Sequence, residues 1–277
     1  MIPPEIDPVS EGDAPGQEAT LALTDGIHFI DARGPDGMRI YAIGDVHGRL
    51  DLLAAMHRQI ESQLQLRPTP DWRIIHLGDY VDRGPDSKGV IDFLIKARKR
   101  DRRNIVLAGN HDIGFLDFLD TPTVDSLFIR FGGVQTGHSY GVAIDEGLTG
   151  WFGTSESALL RGHAALVEAV PQAHINFLQS LPFSVSFGDF FFCHAGVRPG
   201  VPLENQNPQD LTWIRDVFLQ YPGLFPKIIV HGHTPAAEAE VTANRVNVDT
   251  LAWQSGNLTA LVVEGAEKVI MTVTAPG

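Results

Sequence analysis

Five short apolar runs in this chain stop in the same way. Four end on a glycine followed by a side chain able to bind a metal: Gly44-Asp45, Gly78-Asp79, Gly109-Asn110 and Gly232-His233. A fifth, "FFFCHAG", ends on His194. Two of the stops continue into longer polar clusters, "GDVHG" with His47 and "GNHD" with His111 and Asp112. One Gly-Asp at a strand end is an ordinary turn. Five apolar runs that stop on ligand chemistry imply a common destination for their ends.

Helical patterns separate the early runs. "RIYAIGD" reads as a strand, a helix begins near Arg49 in "RLDLLAAMHRQIESQL", and "RIIHLGD" is a second strand. "SKGVIDFLIKARK" is a second helix and "NIVLAGN" a third strand. This alternation predicts parallel strands with crossover helices. Ligands in such sheets gather at the carboxyl ends of the strands. A glycine beside each donor lets the backbone pass close to a crowded centre without a Cβ clash.

The stretch of about 113–182 changes character, with "FLDFLD", glycine-rich "FGGVQTGHSYGV", and helical "ALLRGHAALVEAV" and "QAHINFLQSL". It predicts a mostly helical insertion, a candidate lid. "SVSFGDFFFCHAG" predicts a hairpin turning at Gly188-Asp189. "KIIVHGH", "RVNVD" and "LTALVVEGAEKVIMTV" predict further strands. The expected organisation is one domain over 21–277, behind an acidic, Pro- and Gly-containing flexible leader over 1–20.

The donors at the strand ends are two aspartates, one asparagine and three histidines. These oxygen and nitrogen donors suit Mn, Fe, Zn or Mg, and no thiolate is among them. They exceed what one ion with an open position needs. They suit two ions about 3.5–4 Å apart sharing a bridging carboxylate, the arrangement that hydrolyses phosphate esters.

Composition bounds the partners. With 277 residues, 43% of them hydrophobic, the chain can bury a large core. A formal net charge of -13 argues against holding nucleic acid through its phosphates, which needs a basic surface. The one basic run, "KARKRDRR" from Lys96 to Arg103, ends a predicted helix, where cations suit the dipole. The single cysteine, Cys193, excludes an internal disulfide and, between Phe192 and His194, reads as a core residue. The N-terminal stretch has no apolar signal region, and no apolar run approaches the roughly eighteen residues of a membrane span. The expectation is a soluble, cytoplasmic protein with no membrane partner.

"GDVHG" (44–48), "GDYVDRG" (78–84), "GNHD" (109–112), "HAG" (194–196) and "GHT" (232–234) also carry a resemblance. In this order they are similar to the motifs of the PPP-type metallophosphatases, the serine/threonine protein phosphatases and their bacterial relatives in the calcineurin-like metallophosphoesterase superfamily. The likeness runs from about residue 39 to 264. It implies an α/β fold, a sandwich of two mixed β-sheets flanked by helices with the site at the strand ends. It implies Asp45 and His47 on a first ion, Asp79 bridging, and Asn110, His194 and His233 on a second. Manganese is the first choice of metal, with Fe, Zn, Mg or Ni also fitting. His233 is taken over His231 in "HGHTP" because the family's ligand directly precedes the threonine.

The resemblance also implies that Asp82 orients His111 as a general acid and that Arg83 grips the phosphate. A second arginine is expected near a tryptophan: Arg215 in "TWIRD", or its rival Arg198 in "HAGVRPG". A hydroxide bridging the ions would attack phosphorus in line, and His111 would protonate the leaving oxygen. Two ions, two aspartates, that hydroxide and two arginines leave a local charge of about +3, attractive to a phosphate dianion. Two departures stand out. Asp112 occupies a place where eukaryotic members usually have glutamate, and Leu251 and Ala252 in "NVDTLAW" replace the usual glycine and alanine. His28, His57, His76, His138, His163 and His174 have no family role and are expected in core or surface.

The expected activity is that of a metal-dependent phosphomonoesterase acting on a phosphorylated protein or peptide at Ser or Thr, with Tyr or a small phosphoester also allowed. The alternative is a diadenosine tetraphosphatase-like nucleotide polyphosphate hydrolase. "DRG" favours the first, because symmetric diadenosine enzymes typically replace that aspartate with alanine. A catalytically silent metal-binding scaffold is disfavoured by the presence of every expected ligand and of the acid.

Overall fold

The computed structural model describes residues 26–144 and 156–275. The expected leader lies outside the described residues, as does the part of the expected insertion at 145–155. The chain begins with an alternation: β1 (Met38–Ile43), α1 (Leu50–Leu66), β2 (Asp71–His76), α2 (Ser87–Arg100) and β3 (Asn104–Val106). Helices follow: α3 (Asn110–Asp120), α4 (Leu127–Arg130), α5 (Gly133–Ser139), α6 (Glu156–Ala169) and α7 (Gln172–Gln179). Next come β4 (Ser184–Phe187), β5 (Phe190–Cys193), α8 (Pro208–Trp213) and α9 (Asp216–Leu219). The chain closes with β6 (Ile228–His231), β7 (Glu240–Val241), β8 (Arg245–Asn247), α10 (Ala252–Ser255), β9 (Asn257–Glu264) and β10 (Glu267–Thr274).

The strands form two five-stranded mixed sheets, ordered β10-β9-β1-β2-β3 and β4-β5-β6-β8-β7. In the first, β1, β2 and β3 are parallel and β9 and β10 antiparallel. In the second, β5, β6 and β8 are parallel. The expected sandwich is therefore present, with the predicted hairpin of β4 and β5 closing at Gly188-Asp189.

Side-chain alternation along β1 explains the layering. Ile40 and Ala42 face Phe190, Phe192, Ile228 and Val230 between the sheets, while Tyr41 and Ile43 face the helical layer with Leu53, Met56 and Val90. A strand covered on both faces reads as a continuous apolar run rather than an alternating one. The described part of the insertion packs on the core. Phe115, Phe118 and Phe128 of α3 and α4 are fully buried and stack at 4.6 and 5.3 Å, continuous with the core over α1 and α2. The basic run does end a helix: Arg98, Lys99 and Arg100 form the last turn of α2, and Arg103 lies 4.1 Å above the Trp72 ring. Among the described residues, no helix is long and apolar enough to cross a membrane.

Two of the unassigned histidines lie deep in this core. His57 and His76 stack with ring centroids 5.2 Å apart, and neither His57 Nε2 nor either His76 ring nitrogen has a hydrogen-bond partner. Burial lowers His57 from 6.5 to about 4 and depresses His76 as well. Because the folded values lie below the unfolded one, the stability these residues confer is complete above pH 6.5 and is lost as the pH falls toward 4. His57 alone accounts for roughly 3 kcal/mol of that loss. Urea midpoints measured from pH 7 down to 4.5 should decline, and His76→Phe should flatten the decline; an unchanged slope in that variant would contradict the assignment.

Candidate metal centre

The parallel strands of both sheets deliver their carboxyl ends to one place. Val46 and His47 donate backbone N–H bonds to Asp79 O at 3.2 and 2.8 Å, and Gly48 donates to Tyr80 O at 2.9 Å. The turns after β1 and β2 are thus laced together. A Cβ on Gly109 would overlap the Asp79 backbone and carboxylate, and one on Gly232 would overlap Asp45 Oδ1. Glycine beside a donor is therefore a packing requirement here, as the pattern suggested.

His47, Asp79, Asp82, Arg83 and His233 all adopt left-handed backbone, with φ of 42°, 55°, 71°, 66° and 63°. Leu251, at φ 56°, is the only other non-glycine of that kind among the described residues. Each such residue costs on the order of 1–3 kcal/mol and persists only where its surroundings fix it. The Asp112 carboxylate supplies much of the restraint, accepting N–H bonds from Asp79 and Tyr80 at 2.9 Å each and from Gly109 at 3.0 Å.

Asp79 occupies the middle. Its Oδ2 lies 3.4 Å from His47 Nε2 and its Oδ1 3.4 Å from His194 Nε2. His47 Nδ1 sits 2.7 Å from Val81 O and His194 Nδ1 3.0 Å from Leu77 O. A carbonyl at Nδ1 takes that proton and leaves the Nε2 lone pair for a ligand role. The Asn110 carbonyl oxygen lies 2.9 Å from His194 Nε2 and 2.8 Å from His233 Nδ1. Ligand atoms of His47, Asp79 and His111 fall within 4.8 Å of one another, and so do those of Asp79, His194 and His233. Asp79 belongs to both groups, the position expected of a bridging carboxylate. Asp45 stands just outside them, buried, with its carboxylate accepting from His233 N at 3.1 Å.

The electrostatics fit cations. Burial, with Asp249 and Asp79 nearby, pushes Asp45 well above the carboxylate range, and burial raises Asp249 to about 6. Burial lowers His47 to about 3 and His233 to about 2, so both imidazoles are uncharged at neutral pH. Crowded carboxylates beside neutral imidazoles gain most from divalent ions, and the oxygen and nitrogen donor set suits the metals expected.

The expected contact between His111 and Asp82 is present. His111 Nδ1 lies 2.7 Å from Asp82 Oδ2. Burial works against a charged His111, but Asp79 and the hydrogen-bonded Asp82 outweigh it and hold the imidazole above its ordinary value. Arg83 reaches His111 Nε2 at 3.3 Å, and its guanidinium lies 5.5 Å over the Trp253 ring. Arg215 donates from Nε to His233 Nε2 at 3.0 Å, which brings it to the centre. Its rival Arg198 is exposed and held by Asp210 at 2.6 and 2.8 Å. His231 instead packs on Phe218 at 5.0 Å. Cys193 is buried in the core, and burial raises its thiol far above the ordinary value, which disfavours the thiolate.

Asp249 was not singled out by the sequence. It is buried among Asp45, Asp79 and Arg83, and accepts from Leu251 N at 3.0 Å. Its signal was present in "RVNVD", an apolar run stopping on a carboxylate but without the glycine. Counting it lowers the expected local charge to about +2, still attractive to phosphate. Asp79→Asn should reduce bound Mn²⁺, measured by elemental analysis after dialysis, to less than half of that held by the unsubstituted chain. Gly232→Ala should also weaken loading, through the overlap with Asp45. Full stoichiometry in Asp79→Asn would remove the bridging role.

The described geometry meets three comparisons. The calcineurin-like phosphoesterase family model matches residues 38–265. A protein of Anoxybacillus flavithermus named bis(5'-nucleosyl)-tetraphosphatase PrpE (asymmetrical) is 26% identical over 256 residues, 84% of this chain and 94% of that one. A Caenorhabditis elegans protein provisionally assigned as a serine/threonine-protein phosphatase is 32% identical over 107 residues, 38% of this chain and 25% of that one. In fold, a solved protein provisionally assigned as a diadenosine tetraphosphatase superposes with a TM-score of 0.59 at 19% identity, covering 86% of this chain and 94% of that one. The donor cluster at the strand ends and a family match across most of the chain lead to one conclusion: this protein belongs to the calcineurin-like phosphoesterases.

Proposed function

We propose that this phosphoesterase hydrolyses dinucleoside tetraphosphates, cleaving the phosphate chain off-centre to give a nucleoside triphosphate and a nucleoside monophosphate. The observation that carries this reading is the sequence relation to an asymmetrical tetraphosphatase over 84% of this chain, against a match to a protein phosphatase over 38%. The aspartate of "DRG" does not oppose it, because that contrast concerns symmetric enzymes alone. Peptide phosphatase activity, expected from the motifs, becomes the second reading.

In this proposal Asp45, His47, Asp79, Asn110, His194 and His233 hold two divalent ions. Bound there, the ions supply Lewis acidity and a water of lowered pKa as nucleophile. Arg83, beside His111, and Arg215, beside His233, contact the centre on two sides and suit a substrate with several phosphates. Asp82 holds His111 through Nδ1, so that Nε2–H donates to the departing oxygen. A departing nucleotide phosphate is a weak base that needs little help, whereas a serine alkoxide needs a proton. The complete acid pair is the observation that favours the second reading.

The test is kcat/KM on Mn²⁺-reloaded protein for diadenosine tetraphosphate beside phosphoserine, phosphothreonine and phosphotyrosine peptides. Faster nucleotide turnover with equal ATP and AMP is expected. Two ADP, or faster peptide turnover, would overturn the reading. His111→Asn should cost about 10²–10⁴-fold on a phosphoserine ester and distinctly less on the tetraphosphate.

A further inference from the structure

The glycine-rich stretch "FGGVQTGHS", 131–139, sits in the segment expected to be a candidate lid, yet its Thr136 turns inward. Thr136, fully buried on α5, donates from Oγ1 to Asp82 Oδ1 at 2.9 Å and accepts from Asp82 N at 2.8 Å. Its oxygen also lies 2.9 Å from Ser87 Oγ, the second acceptor of the Asp82 N–H, at 3.1 Å. A hydroxyl has one proton to give and two lone pairs, and here all three are engaged.

The neighbouring glycines make room for this contact. Gly132 O accepts from Arg83 N at 3.1 Å, and a Cβ on Gly132, at φ 111°, would stand 2.6 Å from that nitrogen. Ser139 Oγ accepts from Lys88 N at 3.1 Å. The insertion thus grips the Asp82–Arg83 turn, two consecutive residues in left-handed backbone, from outside the sheet. Asp82 is fully buried, and its two oxygens are divided between Thr136 and His111.

We propose that Thr136 is a positioning residue for general acid catalysis: its hydroxyl fixes the Asp82 carboxylate so that Oδ2 holds His111 Nδ1 and Nε2 faces the leaving oxygen. This rests on the reading of Asp82 and His111 as the acid pair. It makes the helical insertion part of the catalytic apparatus and explains why threonine follows the paired glycines.

The experiment uses the full chain loaded with Mn²⁺ and two aryl esters, phenyl phosphate, whose leaving group needs a proton, and 2,4-dinitrophenyl phosphate, whose leaving group does not. Thr136→Val should lose at least about tenfold in kcat on phenyl phosphate and little on the dinitrophenyl ester, with metal content unchanged. Thr136→Ser, which keeps the hydroxyl, should restore most of the loss; Thr136→Ala replaces the valine variant if that fails to fold. His111→Asn is the control for the underlying reading. If His111→Asn is selective for phenyl phosphate and the Thr136 variants are not, or if serine fails to rescue, the role of Thr136 is overturned. If His111→Asn slows both esters alike, the acid pair itself falls and this role with it.

Discussion

A carboxylate buried away from water must meet positive charge or hydrogen-bond donors, and much of this structure serves one such carboxylate. Asp79 is 2% exposed. Burial alone would push it toward the neutral form, but His194, His111, His47 and His233 outweigh burial and hold it below its ordinary range. His111 N donates to its Oδ1 at 3.0 Å. The left-handed turn that places it is locked by Asp112 from the neighbouring helix α3. The glycines at 78 and 109 exist because nothing larger fits around it. Remove that charge and the strained backbone of the turn loses its purpose, since the donors it gathers have nothing to share.

The strand ends were legible because each combined two independent local signals, a glycine and a donor, at the close of an apolar run. Asp249 carried only the donor, and so passed unnoticed. Thr136 carried neither: a threonine in a glycine-rich stretch is mute until the fold brings it to Asp82, 54 positions away. The choice between Arg215 and Arg198 was likewise closed to spacing, since both follow "HAG" at a reachable distance. It turns on Asp210, which engages one of them at the surface and leaves the other to His233. His231 and His233 separate for a simpler reason. The first lies within β6 and is committed to the packing against Phe218, whereas the second falls past the strand's end, where the backbone turns toward Asn110.

Substrate class was less legible still, and for a physical reason. The motifs describe how phosphorus is attacked, and that chemistry is common to esters and anhydrides. What distinguishes substrates is how much help the leaving group needs and what surrounds the phosphate. The first depends on proton affinities set by three-dimensional neighbours. The second depends on the surroundings of the site, whose conformations no short motif encodes. The packed aromatic core of the insertion shows that a glycine-rich stretch can be there to allow close approach.

The division of the donors between the sheets has a consequence for how the protein is made. Asp45, His47, Asp79 and Asn110 follow strands of the first sheet, whereas His194 and His233 follow β5 and β6 of the second. A chain leaving the ribosome presents four of the six donors before residue 111 and the last only at residue 233. The first sheet also waits for β9, which pairs with β1 from the far end of the chain. Domains generally fold as units during synthesis, and here neither sheet can reach its final form, nor the donors their final number, until nearly the whole sequence has emerged. The donor cluster is therefore a late product of the chain's synthesis, completed only when residues from both sheets are present.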